Sequence, residues 1–109
     1  MSGDGRTGAR VDDIEVRDTA AERRYEARQG ETVVGVLLYE LDGGLVTFTH
    51  TEVDPQAEGT GVGSALARRA LDDARASGRR VVPACPFVKA WIDRHREYAD
   101  LVQPSGPVR

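Results

Sequence analysis

The sequence predicts an α+β fold: a mixed, mainly antiparallel five-stranded sheet carrying two helices. Three observations predict it. Residues in the first half alternate apolar and polar with the period of a strand. The second half changes to helical periodicity. Between them stands PQAEGTGVGS, Pro55 to Ser64, with glycines at the alternate positions Gly59, Gly61 and Gly63.

Each element can be justified in turn. Asp13–Arg17 (DIEVR) alternates at Ile14 and Val16, and Arg24–Gln29 (RYEARQ) at Tyr25 and Ala27. Gly30-Glu31 turns the chain into Thr32–Leu41 (TVVGVLLYEL), which is long, β-branched and too apolar for a strand with one wet face. That pattern predicts a central strand buried on both sides. Asp42-Gly43-Gly44 is a hairpin signal, and Leu45–Val53 (LVTFTHTEV) is the fourth strand. From Val62 to Ala76, the residues Val62, Leu66, Ala70 and Ala74 make one helical stripe with Ala67 and Leu71 beside it. Arg68, Arg69, Asp72, Asp73 and Arg75 take the other side, and Gly78 is the stop. Arg80–Ala84 (RVVPA) is a short fifth strand. Pro86 suits the first position of a second helix, with Phe87, Val88, Trp91 and Ile92 as its apolar face. Glu97–Val102 is its last turn or a short continuation.

A strand, a helix and another strand in this order imply a right-handed crossover with strands four and five parallel. Ligands in such β-α-β units bind beyond the C-terminal ends of the strands. Those ends are His50–Val53 and Ala84–Cys85.

The totals bound the function. A chain of 109 residues accommodates one domain and one modest core. Residues 1–10 (MSGDGRTGAR) and 103–109 (QPSGPVR) read as flexible tails around a unit from 11 to 102. No apolar run is long enough to cross a bilayer, and no secretory signal is recognisable, so a cytoplasmic location and no membrane partner are expected. Cys85 is the only cysteine, which excludes an internal disulfide. The net charge of −3 argues against a nucleic-acid partner. Lys89 is the only lysine, and arginines pair at Arg23–Arg24, Arg68–Arg69 and Arg79–Arg80. Either codon usage explains this or one or two of them meet a phosphate.

The glycine stretch lies where a strand hands over to a helix. A helix start presents unpaired N–H groups and partial positive charge, and glycines let an anion come close. A P-loop would need a lysine, and this loop has none. A dinucleotide fingerprint would need glycine where Ser64 stands and an acidic residue where the chain has Val82, Pro83 and Ala84. The pattern (Gln/Arg)-x-x-Gly-x-(Gly/Ala) is met by Gln56, Gly59 and Gly61. The alternative is a connection that only turns the chain.

From His50 to Val102 the chain resembles the small single-domain branch of the GNAT acetyltransferase superfamily. The matching pieces are HTEV (His50–Val53), QAEGTGVGSAL (Gln56–Leu66), ALDDARASG (Ala70–Gly78), VVPACPFV (Val81–Val88) and I-D-R-H-x-E-Y (Ile92–Tyr98). The resemblance implies an acetyl-CoA-binding domain over residues 11–102. Its ligand's diphosphate would sit on Glu58, Gly59, Thr60, Gly61, Val62 and Gly63, with Gln56 and Ser64 in the same loop. The pantetheine arm would pair near Val53, and the thioester would point toward Glu52 and Cys85. Acetyl transfer from acetyl-CoA to an amine acceptor, a small molecule or a protein lysine, is the implied activity. Members usually carry Pro where this chain has Arg96, and the catalytic tyrosine of larger relatives has no matched position. The alternative is a non-catalytic coenzyme A-binding or protein-interaction module, because so short a chain must find an acceptor pocket in its first hairpin, a homodimer partner or another protein.

Acyl transfer from a thioester to an amine needs a base, carbonyl-polarising donors and, optionally, an acid. His50 and Glu52 lie two apart and share a strand face, which by simple alternation continues inward through Val46 and Phe48. Glu52 is a candidate base or a rim residue; His50 is a candidate of the same kind, more simply a rim residue. Cys85 precedes Pro86 as the N-cap of the second helix, a position that favours a thiolate. It is either a nucleophile or a small buried residue lining the cofactor cleft. His95, ten residues on, lies about 15 Å away along a regular helix and reads as part of a solvated end. Trp91 and Tyr98 read as packing. His50, Glu52, Cys85 and His95 have no familiar metal-ligand spacing, so no metal is expected.

Overall fold

The computed structural model describes residues 14–104. The expected tails, residues 1–10 and the part of 103–109 after Pro104, lie outside the described residues. One sheet carries five strands in the order β1-β2-β3-β4-β5: β1 (Ile14–Thr19), β2 (Arg24–Gln29), β3 (Thr32–Asp42), β4 (Leu45–Val53) and β5 (Arg80–Pro83). The first four are antiparallel neighbours, and β4 and β5 are parallel. Helix α1 (Val62–Ser77) makes the crossover and α2 (Pro86–Arg94) follows β5. A 3-10 helix, Arg96–Leu101, comes after a break at His95. The expected continuation of α2 is thus a separate element.

α1 forms because its apolar positions recur on one stripe: Val62, Leu66, Ala67, Ala70, Leu71 and Ala74 are all buried. It lies across the sheet and touches all five strands. Gly78 ends it in the left-handed region at φ 74°, its N–H returning to the Ala74 and Arg75 carbonyls. α2 lies against the α1 side of the sheet. Trp91, fully buried, donates from Nε1 to Ser64 Oγ at 2.9 Å and so joins the two helices. Arg75 adds a two-pronged pair with Asp100, both bonds 3.0 Å, which ties α1 to the terminal 3-10 helix. Two tyrosines fasten the far end of the sheet. Tyr25 donates to Asp73 on α1 at 2.9 Å, and Tyr39 donates to Asp18 on β1 at 2.6 Å. Burial, then the hydrogen bond to Asp18, pushes the Tyr39 hydroxyl up to about 12.

Among the described residues the helices cover one face only, which corrects the expectation for β3. Leu37 and Tyr39 are buried beneath α1, but Val36 and Leu38 on the opposite face are half-buried. Apolar composition placed β3 in the centre of the sheet without bringing a second layer over it. Gly35 explains how close α1 comes. A Cβ there would lie 2.8 Å from Val62 Cγ1 and 3.2 Å from the Glu52 carbonyl oxygen.

A second departure decides the site. β3 and β4 pair regularly from Leu45 to Phe48, and then the register slips: Tyr39 pairs with Phe48, but Leu38 pairs with His50. Thr49 is the extra residue of a bulge, and one extra residue exchanges the two faces of everything after it. Val46 and Phe48 face the helices and are buried, whereas His50 and Glu52 face the open side and are exposed. Simple alternation therefore misplaced His50 and Glu52 on the face of Val46 and Phe48. It is Thr51 and Val53 that continue the helix-side face.

On the open face lies Glu26, the one charged residue that is buried among the described residues, at 4% exposure. Arg24 donates to it at 2.9 Å, and Arg28 at 2.9 Å from the other side. These bonds, Arg24 first, hold its carboxyl below the free value of 4.5.

Gly35→Ala should lower stability by about 1–3 kcal/mol, the cost of forcing a methyl into a filled site, measured by urea unfolding; an unchanged midpoint would disprove the close approach. The Glu26 carboxyl loses its proton more readily in the folded than in the unfolded chain, so its contribution is complete above pH 4.5 and is lost as pH falls through its folded value. The wild type should therefore lose stability on acidification faster than Glu26→Gln, read as the slope of unfolding free energy against pH.

Candidate functional site

The site is built where β4 and β5 part. Their pairing stops at Phe48↔Pro83, but β4 runs on to Val53. The Cys85 N–H takes the Phe48 carbonyl at 2.8 Å, and α2 then leads the chain away. The remaining edge of β4 toward α2 has no strand partner among the described residues. A groove of about 410 Å³ opens beside it, on the helix side of the sheet. Thr51 and Val53 of β4, Gly59 and Gly61 of the loop, Val62 and Ser64 of α1 and Phe87 of α2 line it.

Asp54 starts the loop by accepting from the Gln56 N–H at 2.9 Å, which winds Pro55–Ala57 into a 3-10 turn. The Glu58 and Thr60 N–H groups turn back onto the Pro55 and Ala57 carbonyls. Gly59 and Gly61 take left-handed conformations, φ 84° and 93°, which glycine adopts without a Cβ penalty. Their N–H groups have no partner among the described residues. Gly61 is also the N-cap of α1 and brings no side-chain oxygen to cap it. The helix ladder begins with the Ala65 N–H on the Gly61 carbonyl, so Val62, Gly63 and Ser64 keep the orphan N–H groups of a first turn. The available donors are therefore Gly59, Gly61, Val62, Gly63 and Ser64. Glu58 and Thr60, expected among them, spend theirs inside the loop. Gln56 uses its N–H on Asp54, and its exposed side chain is not part of the groove lining.

Gly63 has a different use from its two neighbours. A Cβ there would lie 2.6 Å from Phe87 Cζ. Its bareness seats the Phe87 ring across the start of α1, and does not serve anion approach alone. Phe87 is 36% exposed at the groove wall, where sequence pattern had assigned it to the apolar face of α2. The Ser64 hydroxyl is held by Trp91.

Cys85 is the N-cap of α2, as expected, and is 3% exposed. Its Sγ makes no cap bond; it lies 3.1 Å from Thr51 Oγ1. Thr51 is thus the residue that joins the groove to the cysteine, and strand alternation hid it because the bulge changes its face. His50 and Glu52 lie across the strand on the open face, Nε2 to Oε2 3.3 Å, with side chains 55% and 73% exposed. The structure brings Thr51, Val53, the glycine loop and Phe87 together on one face, with Cys85 touching Thr51. It sets His50 and Glu52 on the other. His95 is not in the site: its ring stacks on Trp91 at 3.7 Å and its Nδ1 meets the Trp91 carbonyl, so it is folded back and not a solvated end. Tyr98 is buried and donates to Asp72, a packing role. Among the described residues no group of His, Cys, Asp or Glu is arranged to hold a metal ion, and no helix is long and apolar enough to cross a membrane.

A parallel pair of strands that diverges beside an uncapped, glycine-led helix defines a class of protein. The family model described as GCN5-related N-acetyl-transferase matches residues 24–101, and the chain belongs to that family. Solved structures share the fold. A GCN5-like protein from Staphylococcus aureus, known from its solution structure, superposes with TM-score 0.67 at 19% identity, covering 89% of this chain and 95% of that one. A ribosomal-protein-alanine N-acetyltransferase from Brucella melitensis gives TM-score 0.53 at 19% identity, over 79% of this chain and 64% of its own. An aminoglycoside acetyltransferase from a soil metagenome, in complex with sisomicin, gives 0.50 at 17% identity, over 79% and 59%. No curated protein matches the sequence significantly.

The Gly63–Phe87 contact can be tested by a double-mutant cycle. Gly63→Ala should destabilise the wild type but cost much less in a Phe87→Ala background, a coupling of about 0.5–3 kcal/mol by urea unfolding; additive effects would disprove the contact.

Proposed function

We propose that this chain binds acetyl-CoA in the groove and transfers its acetyl group to an amine that approaches from the open face of the sheet. One observation carries the reading. The free N–H groups at the start of α1 and the unpaired edge of β4 meet in a single groove that ends at Thr51 and Cys85. The donors suit a diphosphate. The bare strand edge suits the amide groups of a pantetheine arm, which would pair near Val53. The groove's volume of about 410 Å³ lies in the range of small-molecule sites. When bound, the thioester supplies an activated acetyl group.

The residues of this chain then have separable tasks. Gly59, Gly61, Val62, Gly63 and Ser64 hold the diphosphate with their amides. Thr51 and Val53 line the path of the arm, and Phe87 closes its far side. Glu52 is the base: it takes a proton from the acceptor ammonium and passes it to solvent, so that the neutral amine forms the new C–N bond as the C–S bond breaks, and the proton shed by the acylated nitrogen goes to the departing thiolate. His50, 3.3 Å from Glu52, orients that carboxylate. Donor and base lie on opposite faces of β4, and the gap between β4 and β5 is where they meet. Cys85 lines the end of the groove against Thr51. In the covalent variant of the mechanism its thiol would give its proton to the departing coenzyme A thiolate as it takes the acetyl group, and would recover a proton from the amine nitrogen when the amine displaces it.

Calorimetry with acetyl-CoA tests binding, and acceptor-dependent release of free thiol across a panel of amines tests catalysis. Binding with amine-dependent release is expected. Binding without it would leave a coenzyme A-binding module, and no binding would overturn the proposal. Glu52→Gln should lower turnover by about 100-fold or more while leaving acetyl-CoA affinity unchanged. Cys85→Ala should retain binding; unchanged turnover in that variant would remove the covalent route.

A further inference from the structure

Arg68 differs from the other cations of α1. Arg69 donates to Asp73 and to the Val16 carbonyl, and Arg75 is paired with Asp100. Arg68 has no carboxylate partner among the described residues. Its guanidinium carbon lies 5.2 Å from the centre of the Trp91 ring, and only one N–H of its fork has an acceptor, the Tyr98 hydroxyl at 3.4 Å. That hydroxyl in turn donates to Asp72 at 2.7 Å, which engages the carboxylate closest in sequence on the same side of α1. The ring behind Arg68 is itself held by Ser64. The fork is therefore supported on one side, exposed on the other and largely unspent.

Its place is as telling as its partners. Arg68 stands one turn after Ser64, on the same helix face. Ser64 lines the groove, and it also lines a shallow depression of about 490 Å³ with Ala65, Arg68, Arg69 and Asp72. The two hollows share that residue. Among the described residues no lysine or arginine lines the groove itself. Helix amides suffice for a diphosphate, but coenzyme A also carries a ribose 3′-phosphate, a phosphomonoester of nearly two negative charges near neutral pH. Such a group is met best by a planar guanidinium.

We infer that Arg68 receives the ribose 3′-phosphate of coenzyme A, and is the residue that distinguishes coenzyme A from its 3′-dephospho form. The inference rests on the groove being a coenzyme A site. Calorimetric titration of the full chain with coenzyme A and with 3′-dephospho-coenzyme A tests it. The wild type should prefer coenzyme A by roughly 3- to 10-fold, the range of an exposed charge-assisted contact, and the preference should shrink with added salt. Arg68→Gln should bind both ligands equally, at the wild-type affinity for the dephospho form, with an unchanged circular dichroism spectrum. Arg69→Gln should keep the wild-type preference. A wild type that binds both ligands equally, or an Arg68→Gln variant that still discriminates, overturns the role of Arg68 and leaves the groove reading intact. A wild type that binds neither ligand overturns both.

Discussion

Everything proposed for this chain depends on β4 losing its partner before it ends. A parallel pair that stays zipped offers no edge to a ligand, because every backbone donor and acceptor is spent in the ladder. Here the pairing of β4 with β5 stops at Phe48 and Pro83, and the proline removes a donor at the point of parting. The Cys85 N–H closes the last carbonyl, and α2 turns the chain away. The bulge at Thr49 acts at nearly the same level, on the other edge of β4. Together they present one stretch of strand with Thr51 and Val53 on the helix side, Glu52 on the open side and a free edge between them.

The helices serve that stretch from one side. α1 approaches β3 closely because Gly35 has no side chain, and its first turn is left uncapped because Gly61 has none either. The same absence of a Cβ thus has two consequences, close packing at one position and open donors at the other. Gly63 adds a third, the seat of Phe87. The seam that α1 makes with α2 and the terminal 3-10 helix then runs from Phe87 through Trp91 to Tyr98, with Ser64, Arg68 and Asp72 bonded to it or lying over it. Packing and the proposed ligand contacts thus draw on the same residues.

The opposite face of the sheet carries no helix among the described residues. It is lined by half-buried Val36 and Leu38, by the Arg24–Glu26–Arg28 cluster and by His50 and Glu52. Under the proposed function, an open face of this kind would receive a bulky amine-bearing molecule without a preformed pocket. Selectivity would then reside in few contacts, or in whatever surface presents the amine.

Much of this was legible in the residues alone. Strand alternation in β1 and β2, the hairpin at Asp42-Gly43-Gly44, the α1 stripe and the crossover all depend on local periodicity and turn chemistry, and they stand in the structure at nearly the expected bounds. The glycine loop was recognisable because a strand, alternate glycines and a helix follow in order. What local pattern could not decide was orientation. A single bulged residue, Thr49, moved His50 and Glu52 to the open face and brought Thr51 to the groove, since side-chain facing has a period of two and carries no memory past an insertion. Nor could composition tell which glycine frees an amide and which seats a ring, or which arginine of Arg68–Arg69 is spent on a carboxylate. Those are matters of which distant atoms come within a few ångströms, and they are settled when α1 and α2 pack against the same face of the sheet.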